Sequence, residues 1–320
     1  MLDQFEREID YLRISITDRC NLRCQYCMPQ GVKLKLHQDI ISYEEIESFC
    51  RLMTKLGFKK IKITGGEPLV RKDCAKLIKK LKQIPGIEVI TMTTNGILLK
   101  KYLDELLEAG LDAVNISLDT LNPKHYKEIT GFDCFDQVME SIKACVRTSL
   151  KVKINCVAFE GNEDWKEVIT LAKRYPIDVR FIELMPIGLG RKYKTLDNRE
   201  LLAYLKTEYQ DVKKDERVHG NGPASYYTVA DFRGSIGFIG AIHGQFCDSC
   251  NRVRLSSQGD LKCCLCFNNG INVLDVLHQN ITDEEKIAIF HDVIYAKPKE
   301  HCFKDIDKMT EDHMMSSIGG

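Results

Sequence analysis

The sequence has no excess of charge of either sign, because Lys plus Arg and Asp plus Glu both number 46. Such a balance gives no reason to expect a nucleic-acid or anionic-membrane surface, so any anion site must be local. Apolar runs stay far short of the roughly 20 residues that a membrane helix needs. The first ten residues, MLDQFEREID, lack the cationic start and apolar stretch of a signal peptide. These absences predict a cytoplasmic protein.

Internal repeats and low-complexity linkers are also missing, whereas cysteine is abundant, with 14 residues in the chain. In a small secreted domain that number would indicate disulfides. In a chain of 320 residues without a signal sequence, ligation of a metal or a cluster is the better interpretation. The spacing of the cysteines then indicates which of them are ligands.

Six short β-branched segments alternate with helical patterns between residues 11 and 185. They read LRISIT, KIKIT, VITMTT, AVNISLD, KVKINCVAF and DVRFIEL. This alternation predicts an α/β fold with parallel strands joined by helical crossovers, either in an open sheet or in part of a barrel. An antiparallel sheet is the alternative, but connectors of helix length argue against it. We expect one region over residues 1–187 and a Gly-rich second region over residues 188–320.

One face of the predicted strands is polar and carries cations. Side chains alternate along a strand, so one set faces the helices and the other faces the interior. The interior set comprises Arg13, Ser15, Thr17, Lys62, Thr64, Thr91, Thr93, Asn115, Ser117, Lys153 and Asn155. An ordinary parallel barrel fills its interior with branched aliphatic side chains. A polar, cationic interior therefore predicts a bound ligand.

The first cysteine group is Cys20, Cys24 and Cys27 in DRCNLRCQYCMP, just beyond the first strand. Three soft thiolates suit an iron-sulfur cluster or zinc. With three protein ligands, a [4Fe-4S] cluster keeps one iron open, which can chelate an amino and a carboxylate group. A zinc site completed by a distant His or Cys is the alternative.

The segment TGGEP follows the second strand, at residues 64–68. Its two glycines would let the backbone approach a ligand closely and offer free amide groups. A tight turn also explains such a segment. Three further strand ends, TTN at residues 93–95, SLD at 117–119 and FIELM at 181–185, would face the same rim.

The second cysteine group lies in FCDSCNRVRLSSQGDLKCCLC. It contains Cys247 and Cys250 as a CxxC pair, followed by Cys263, Cys264 and Cys266. Arg252 and Arg254 lie two apart in a predicted strand and so point to one side. With Arg13 they could clamp a triphosphate, because guanidinium forks match phosphate oxygens. The alternatives are a solvated strand face and a four-cysteine zinc ribbon.

The CxxxCxxC spacing, with Tyr26 before the third cysteine, and TGGEP together resemble the radical S-adenosylmethionine superfamily. The second cysteine group and the terminal SIGG extend this likeness, and from about Tyr11 to Gly320 the sequence resembles the GTP 3′,8-cyclase family. The resemblance implies an incomplete (β/α)6 TIM-like barrel, the radical SAM core. It also implies a C-terminal α+β extension that carries a second iron-sulfur cluster.

The resemblance implies two [4Fe-4S] clusters and S-adenosylmethionine as cofactors. The implied cluster ligands are Cys20, Cys24, Cys27, Cys247, Cys250 and Cys264. The implied cofactor contacts are Tyr26, Gly66, Ser117 and Met185, with Glu67 beside Gly66. The implied nucleotide contacts are Arg13, Lys62, Thr93, Lys153, Arg252 and Arg254, of which Arg13, Arg252 and Arg254 are the expected catalytic residues. The tail residues Gly319 and Gly320 would reach into the active site. At position 62 the family commonly has arginine, so Lys62 keeps the charge but loses a bidentate fork.

A family enzyme of this kind is a lyase that converts GTP to (8S)-3′,8-cyclo-7,8-dihydroguanosine 5′-triphosphate, the first step of molybdenum cofactor biosynthesis. A 5′-deoxyadenosyl radical derived from S-adenosylmethionine abstracts H3′ of the ribose. The resemblance further implies a reduced flavodoxin-like electron donor, a downstream cyclic pyranopterin monophosphate synthase and a homodimer.

Two other functions fit part of the sequence. A two-cluster radical enzyme that modifies a peptide is disfavoured by the terminal GG and by the RVR sequence. A cysteine-rich binding module that senses redox state or zinc gives no purpose to TGGEP, TTN and SLD.

Overall fold

The computed structural model describes residues 1–28, 31–32, 34–244, 246–311 and 313–319. Its first six strands are β1 (Tyr11–Ser15), β2 (Lys60–Thr64), β3 (Val89–Thr94), β4 (Ala113–Ser117), β5 (Lys151–Ala158) and β6 (Asp178–Glu183). Each pairs in parallel with the next one along the chain. The six predicted strands and their parallel order are therefore confirmed.

Strands from the second half of the chain extend the sheet at both edges. They are β7 (Lys213–Asp215), β8 (Ser225–Thr228), β9 (Ile236–Ile239), β10 (Arg252–Leu255), β11 (Asp260–Lys262) and β12 (Gly270–Asn272). β9 lies parallel to β6, and β10 lies parallel to β1. Among the described residues the outermost strands, β12 and β7, do not pair with each other, so the barrel is incomplete. Both predicted regions thus contribute to one sheet, and the boundary at residues 187–188 stays a prediction.

Ten α-helices lie within the described ranges. They are α1 (Tyr43–Lys55), α2 (Cys74–Lys82), α3 (Leu99–Glu108), α4 (Pro123–Thr130), α5 (Phe135–Cys145), α6 (Trp165–Arg174), α7 (Asn198–Glu208), α8 (Val273–Leu277), α9 (Asp283–Tyr295) and α10 (Met315–Ile318). Capping boxes begin two of them, with Ser42 and Glu45 at α1 and Thr282 and Glu285 at α9. None of these helices combines the length and the apolar character needed to cross a bilayer.

The apolar sides of the strands pack against the helices and form the main core. Leu12, Ile14, Ile61, Ile63 and Val114 are all essentially inaccessible to solvent. Because side chains alternate along a strand, burial of these residues against the helices places the intervening residues on the opposite face of the sheet.

The strand register places the polar interior side chains next to one another. Arg13 is the partner of Arg254 on one side and of Lys62 on the other. Farther along the sheet, Asn115 is the partner of Lys153. The sheet therefore brings basic side chains from distant parts of the sequence onto one surface.

Candidate functional site

A cavity of about 320 Å³ runs along the polar face of the sheet. Its volume falls in the range of small-molecule binding sites, which is about 300–1,000 Å³. Its walls include all six predicted cluster ligands: Cys20, Cys24, Cys27, Cys247, Cys250 and Cys264. The two cysteine groups, far apart in sequence, therefore open into one space.

The first cysteine group lies in the loop after β1 (Tyr11–Ser15), where three half-buried thiols face one another. Burial raises the pKa of Cys20 and of Cys24, and it raises the pKa of Cys27 to about 12. The negative charges of neighbouring thiolates and of Asp119 add to the rise for Cys24 and Cys27. Thiolates in such a place need a positively charged partner, which a metal centre supplies.

A single zinc ion requires its ligand atoms to lie close to one another. Four tetrahedral sulfur ligands about 2.3 Å from zinc lie roughly 3.8 Å from one another. Among the described residues, one set of three metal-ligating side chains has its ligand atoms within 4.8 Å of one another, and it contains no cysteine.

That set consists of Glu183, Asp197 and His243. The Glu183 carboxylate accepts hydrogen bonds from the amides of Ile242 (2.6 Å) and His243 (3.0 Å), and it lies 3.1 Å from the His243 ring. The Asp197 side chain accepts from the Arg199 amide and guanidinium. These contacts tie the end of β6 to the loop before the second cysteine group.

The glycines of TGGEP are needed for packing against the protein itself. The Gly66 amide donates to the Thr17 carbonyl (2.7 Å), and the Glu67 amide donates to the Arg19 carbonyl (2.8 Å). A Cβ atom on Gly66 would lie 2.5 Å from the same Arg19 oxygen. The expectation of a free amide is therefore wrong for Gly66. Gly66 nevertheless lines the cavity, beside the loop that carries Cys20.

Glu67 joins two strand ends at the rim. Its fully buried carboxylate accepts hydrogen bonds from the Leu69 amide (3.0 Å), the Thr94 hydroxyl (2.8 Å) and the Asn95 amide (2.7 Å). Burial raises its pKa to about 7, and these donors oppose the rise. Because its oxygens already have protein partners, Glu67 positions the TTN segment, a role that a GGEP motif alone does not reveal.

The remaining predicted cofactor contacts line the same cavity. The Tyr26 hydroxyl donates to Asp119 at 2.6 Å, which links the first cysteine group to the SLD segment. Burial raises the pKa of Asp119 to about 6, although this hydrogen bond and one from the Val157 amide lower it. Ser117 and Met185 lie in the cavity wall at the ends of β4 and β6.

In the second cysteine group, the two thiols without a predicted role have contacts of their own. The Cys263 thiol donates to the Val293 carbonyl (3.4 Å), and Cys266 accepts from the Cys302 amide (2.9 Å). Burial raises the pKa of Cys250, but the charges of Lys297 and Arg252 outweigh it, so the net pKa is lowered. The neighbourhood of Cys250 is therefore cationic.

Five basic residues of the strands line the cavity: Arg13, Lys62, Arg180, Arg252 and Arg254. Burial, together with the charges of Arg252 and Arg180, lowers the pKa of Arg13 to about 10. Burial and the charges of Arg180 and Arg13 lower the pKa of Lys62. Within the described part of the chain, no carboxylate forms an ion pair with Lys62, Arg180, Arg252 or Arg254. Such a group of charges needs an anionic ligand.

The C-terminal tail enters this interior. Gly319 has φ +79°, and a Cβ atom there would lie 2.3 Å from the Thr64 hydroxyl oxygen. Its carbonyl accepts a hydrogen bond from Arg254. Gly320, the other predicted tail residue, lies outside the described residues.

Comparison with known proteins identifies the family to which the chain belongs. The radical SAM superfamily matches residues 14–174, and the family described as Molybdenum Cofactor Synthesis C matches residues 177–303. GTP 3′,8-cyclases from Clostridium perfringens (strain SM101) and Alkaliphilus metalliredigens are 45% and 44% identical, over the full length of both chains in each case. The chain belongs to the GTP 3′,8-cyclase family.

The fold is also similar to that of a solved structure. The Streptococcus suis SuiB structure bound to S-adenosylmethionine superposes with a TM-score of 0.65, covering 95% of this chain and 75% of that one. At 16% identity this likeness shows the fold alone. It confirms the predicted α/β partial barrel of the radical SAM type.

Two predicted nucleotide contacts, Thr93 and Lys153, differ from each other in their surroundings. Thr93 lines the cavity and accepts a hydrogen bond from Asn115 at 3.4 Å. Lys153 is not among the described residues that line it. Its ammonium contacts Tyr226 (3.2 Å) and lies 3.4 Å from Asp178. The structure thus gives Lys153 an anionic protein partner, which Lys62, Arg180, Arg252 and Arg254 lack among the described residues.

Arg180 is a basic residue of the interior strand face that was not predicted from the sequence. It is the register partner of Asn155, and its guanidinium donates to the side-chain oxygen of that residue. Asn155 belongs to the predicted interior set, so extension of the same alternation to DVRFIEL would have identified Arg180.

Replacement of Lys62 by Arg is expected to tighten binding of inorganic triphosphate severalfold. Lysine has a lowered pKa here and loses its proton as the pH rises through that value, so affinity should fall at alkaline pH. Arginine keeps its charge and adds a bidentate fork. Calorimetric titrations at a series of pH values would measure both effects. An equal loss of affinity with pH in the two proteins would contradict the assignment of Lys62 to the anion site.

Proposed function

We propose that this protein is a GTP 3′,8-cyclase that converts GTP to (8S)-3′,8-cyclo-7,8-dihydroguanosine 5′-triphosphate in the first step of molybdenum cofactor biosynthesis. The observation that supports it most is one cavity lined by two groups of three cysteines and by five basic residues of the strands. A cofactor at one end, the guanine base of GTP at the other and the triphosphate along the wall of basic residues would fill such a space.

The residues fit the cofactors of this family. Cys20, Cys24 and Cys27 would hold one [4Fe-4S] cluster, and S-adenosylmethionine would lie beside it against Tyr26, Gly66, Ser117 and Met185. Cys247, Cys250 and Cys264 would hold the second cluster. When bound, the clusters and S-adenosylmethionine supply the radical chemistry that removes hydrogen from C3′ of the ribose.

The protein side chains would place the substrate. Arg13, Lys62, Arg252 and Arg254, assisted by Arg180, would bind the triphosphate, because guanidinium groups match phosphate oxygens in pairs. Fixing the phosphates and the base together would orient C3′ toward the cofactor. Gly319 and Gly320 would cover the interior and exclude water, a role supported by the contacts of Gly319 with Thr64 and Arg254.

Several finer assignments belong to the same proposal. A reduced flavodoxin-like protein would supply electrons, and a cyclic pyranopterin monophosphate synthase would consume the product. The active form would be a homodimer in the cytoplasm. Residues 1–187 would form the radical SAM partial barrel, and residues 188–320 would form the region for the second cluster and GTP.

The proposed activity is tested by reconstituting the protein anoxically with iron and sulfide, reducing it, and adding S-adenosylmethionine and GTP. Mass spectrometry should detect both 5′-deoxyadenosine and a cyclised isomer of GTP. Deoxyadenosine without the isomer would retain a radical enzyme but overturn GTP as the substrate. Neither product, from protein that holds both clusters, would favour a binding module.

The ligand assignment in the second group is tested by two matched substitutions. Cys264→Ser should lower the iron content by about four atoms per chain, because one ligand of a [4Fe-4S] cluster is lost. Cys266→Ser should leave it unchanged, since that thiol faces Cys302. Iron and sulfide analysis after identical reconstitution gives the comparison. The reverse pattern would show that Cys266 is the ligand.

A further inference from the structure

We propose that Lys297 is the fixed positive charge that sets the reduction potential of the cluster held by the second cysteine group. The inference depends on the proposed function in one respect, the presence of that cluster. Lys297 follows helix α9 (Asp283–Tyr295), lines the cavity and is only 3% exposed. A lysine is seldom so deeply buried without a charged partner.

The ammonium group of Lys297 is held in place by two backbone carbonyls. It donates hydrogen bonds to the carbonyl of Arg252, at 3.0 Å, and to that of Cys263. The first carbonyl lies at the start of β10, and the second directly precedes Cys264. The ammonium group therefore connects the arginine strand to the loop of a predicted cluster ligand.

The charge of Lys297 acts on all three predicted ligands, Cys247, Cys250 and Cys264. Across the residues that the structure describes, no carboxylate forms an ion pair with it. A buried charge without a counter-charge is strongly unfavourable, so the site calls for an anion.

A second buried cation beside the same cysteines provides a contrast. Arg7 donates to the Cys247 carbonyl at 2.9 Å, but its guanidinium also pairs with buried Asp3 at 2.7 Å. The charge of Arg7 is therefore neutralised within the protein, whereas that of Lys297 is not. Lys297 is therefore, with Arg252, a cation that a cluster at this position would have to balance.

A [4Fe-4S] cluster with three thiolate ligands is anionic, and reduction adds one more negative charge. A nearby cation in a medium of low dielectric constant stabilises the reduced form more than the oxidised form. Lys297 should accordingly raise the reduction potential of the second cluster and leave the more distant first cluster unaffected. Lys297 would act by stabilising the reduced form of the cluster. It is therefore not a catalytic residue.

The test compares Lys297→Gln, Lys297→Arg and the unmutated full-length protein after identical anoxic reconstitution. Glutamine keeps a hydrogen-bond donor but removes the charge, and arginine keeps both. Redox titrations followed by electron paramagnetic resonance report each cluster, with the first identified by its response to added S-adenosylmethionine. Lys304→Gln removes an exposed charge in the same segment and serves as the control.

In Lys297→Gln the ratio of reduced to oxidised second cluster should fall at least tenfold at any fixed potential, a negative shift of about 59 mV for one electron. Lys297→Arg and Lys304→Gln should titrate like the unmutated protein. Loss of the second cluster in Lys297→Gln but not in Lys297→Arg would also support the need for charge. An unshifted Lys297→Gln, or a Lys297→Arg that fails to preserve the original potential, would overturn the proposal.

The same samples separate this inference from the proposed function. Unmutated protein that holds both clusters but forms no cyclised GTP would refute the function while the potential of the second cluster still tests Lys297. Unmutated protein that cannot hold the second cluster would overturn both.

Discussion

Repulsion among the cations on the inner face of the sheet is the constraint on which the structure depends. Arg13, Lys62 and Arg254 are register neighbours on adjacent parallel strands, so their charges cannot separate without breaking the sheet. The apolar core on the other face of the same strands opposes that breakage. A fold that keeps these charges together in a cavity is organised around an anion.

The two ends of the cavity meet this constraint in different ways. At the first cysteine group, backbone and carboxylate hydrogen bonds within the protein hold the rim: Gly66 to Thr17, Glu67 to the TTN segment, and Tyr26 to Asp119. At the second group, Lys297 and Arg252 place positive charge next to the thiols. The first end is therefore organised by neutral or acidic contacts and the second by cations, which suits one site for a zwitterionic cofactor and one for an anionic substrate.

Much of the fold and of the site could be predicted from the sequence, because both depend on local periodicity. Strand alternation placed Arg13 and Lys62 on the interior face, and cysteine spacing identified two groups that share one cavity. Contacts between distant backbone atoms have no such signal, which is why the Gly66 amide was wrongly expected to be free. Lys297 belongs to no motif, and the pairing of Lys153 with Asp178 depends on the register of β5 and β6.

The interior cations are expected to bind the phosphates of the substrate. The most direct test of this expectation is calorimetric binding of GTP, GDP, GMP and guanosine to the anoxically reconstituted protein at one pH and ionic strength. Affinity should fall with each phosphate removed, by at least roughly tenfold between GTP and GMP, since charge-assisted hydrogen bonds are lost at every step. Equal affinities for GTP and guanosine would contradict this expectation.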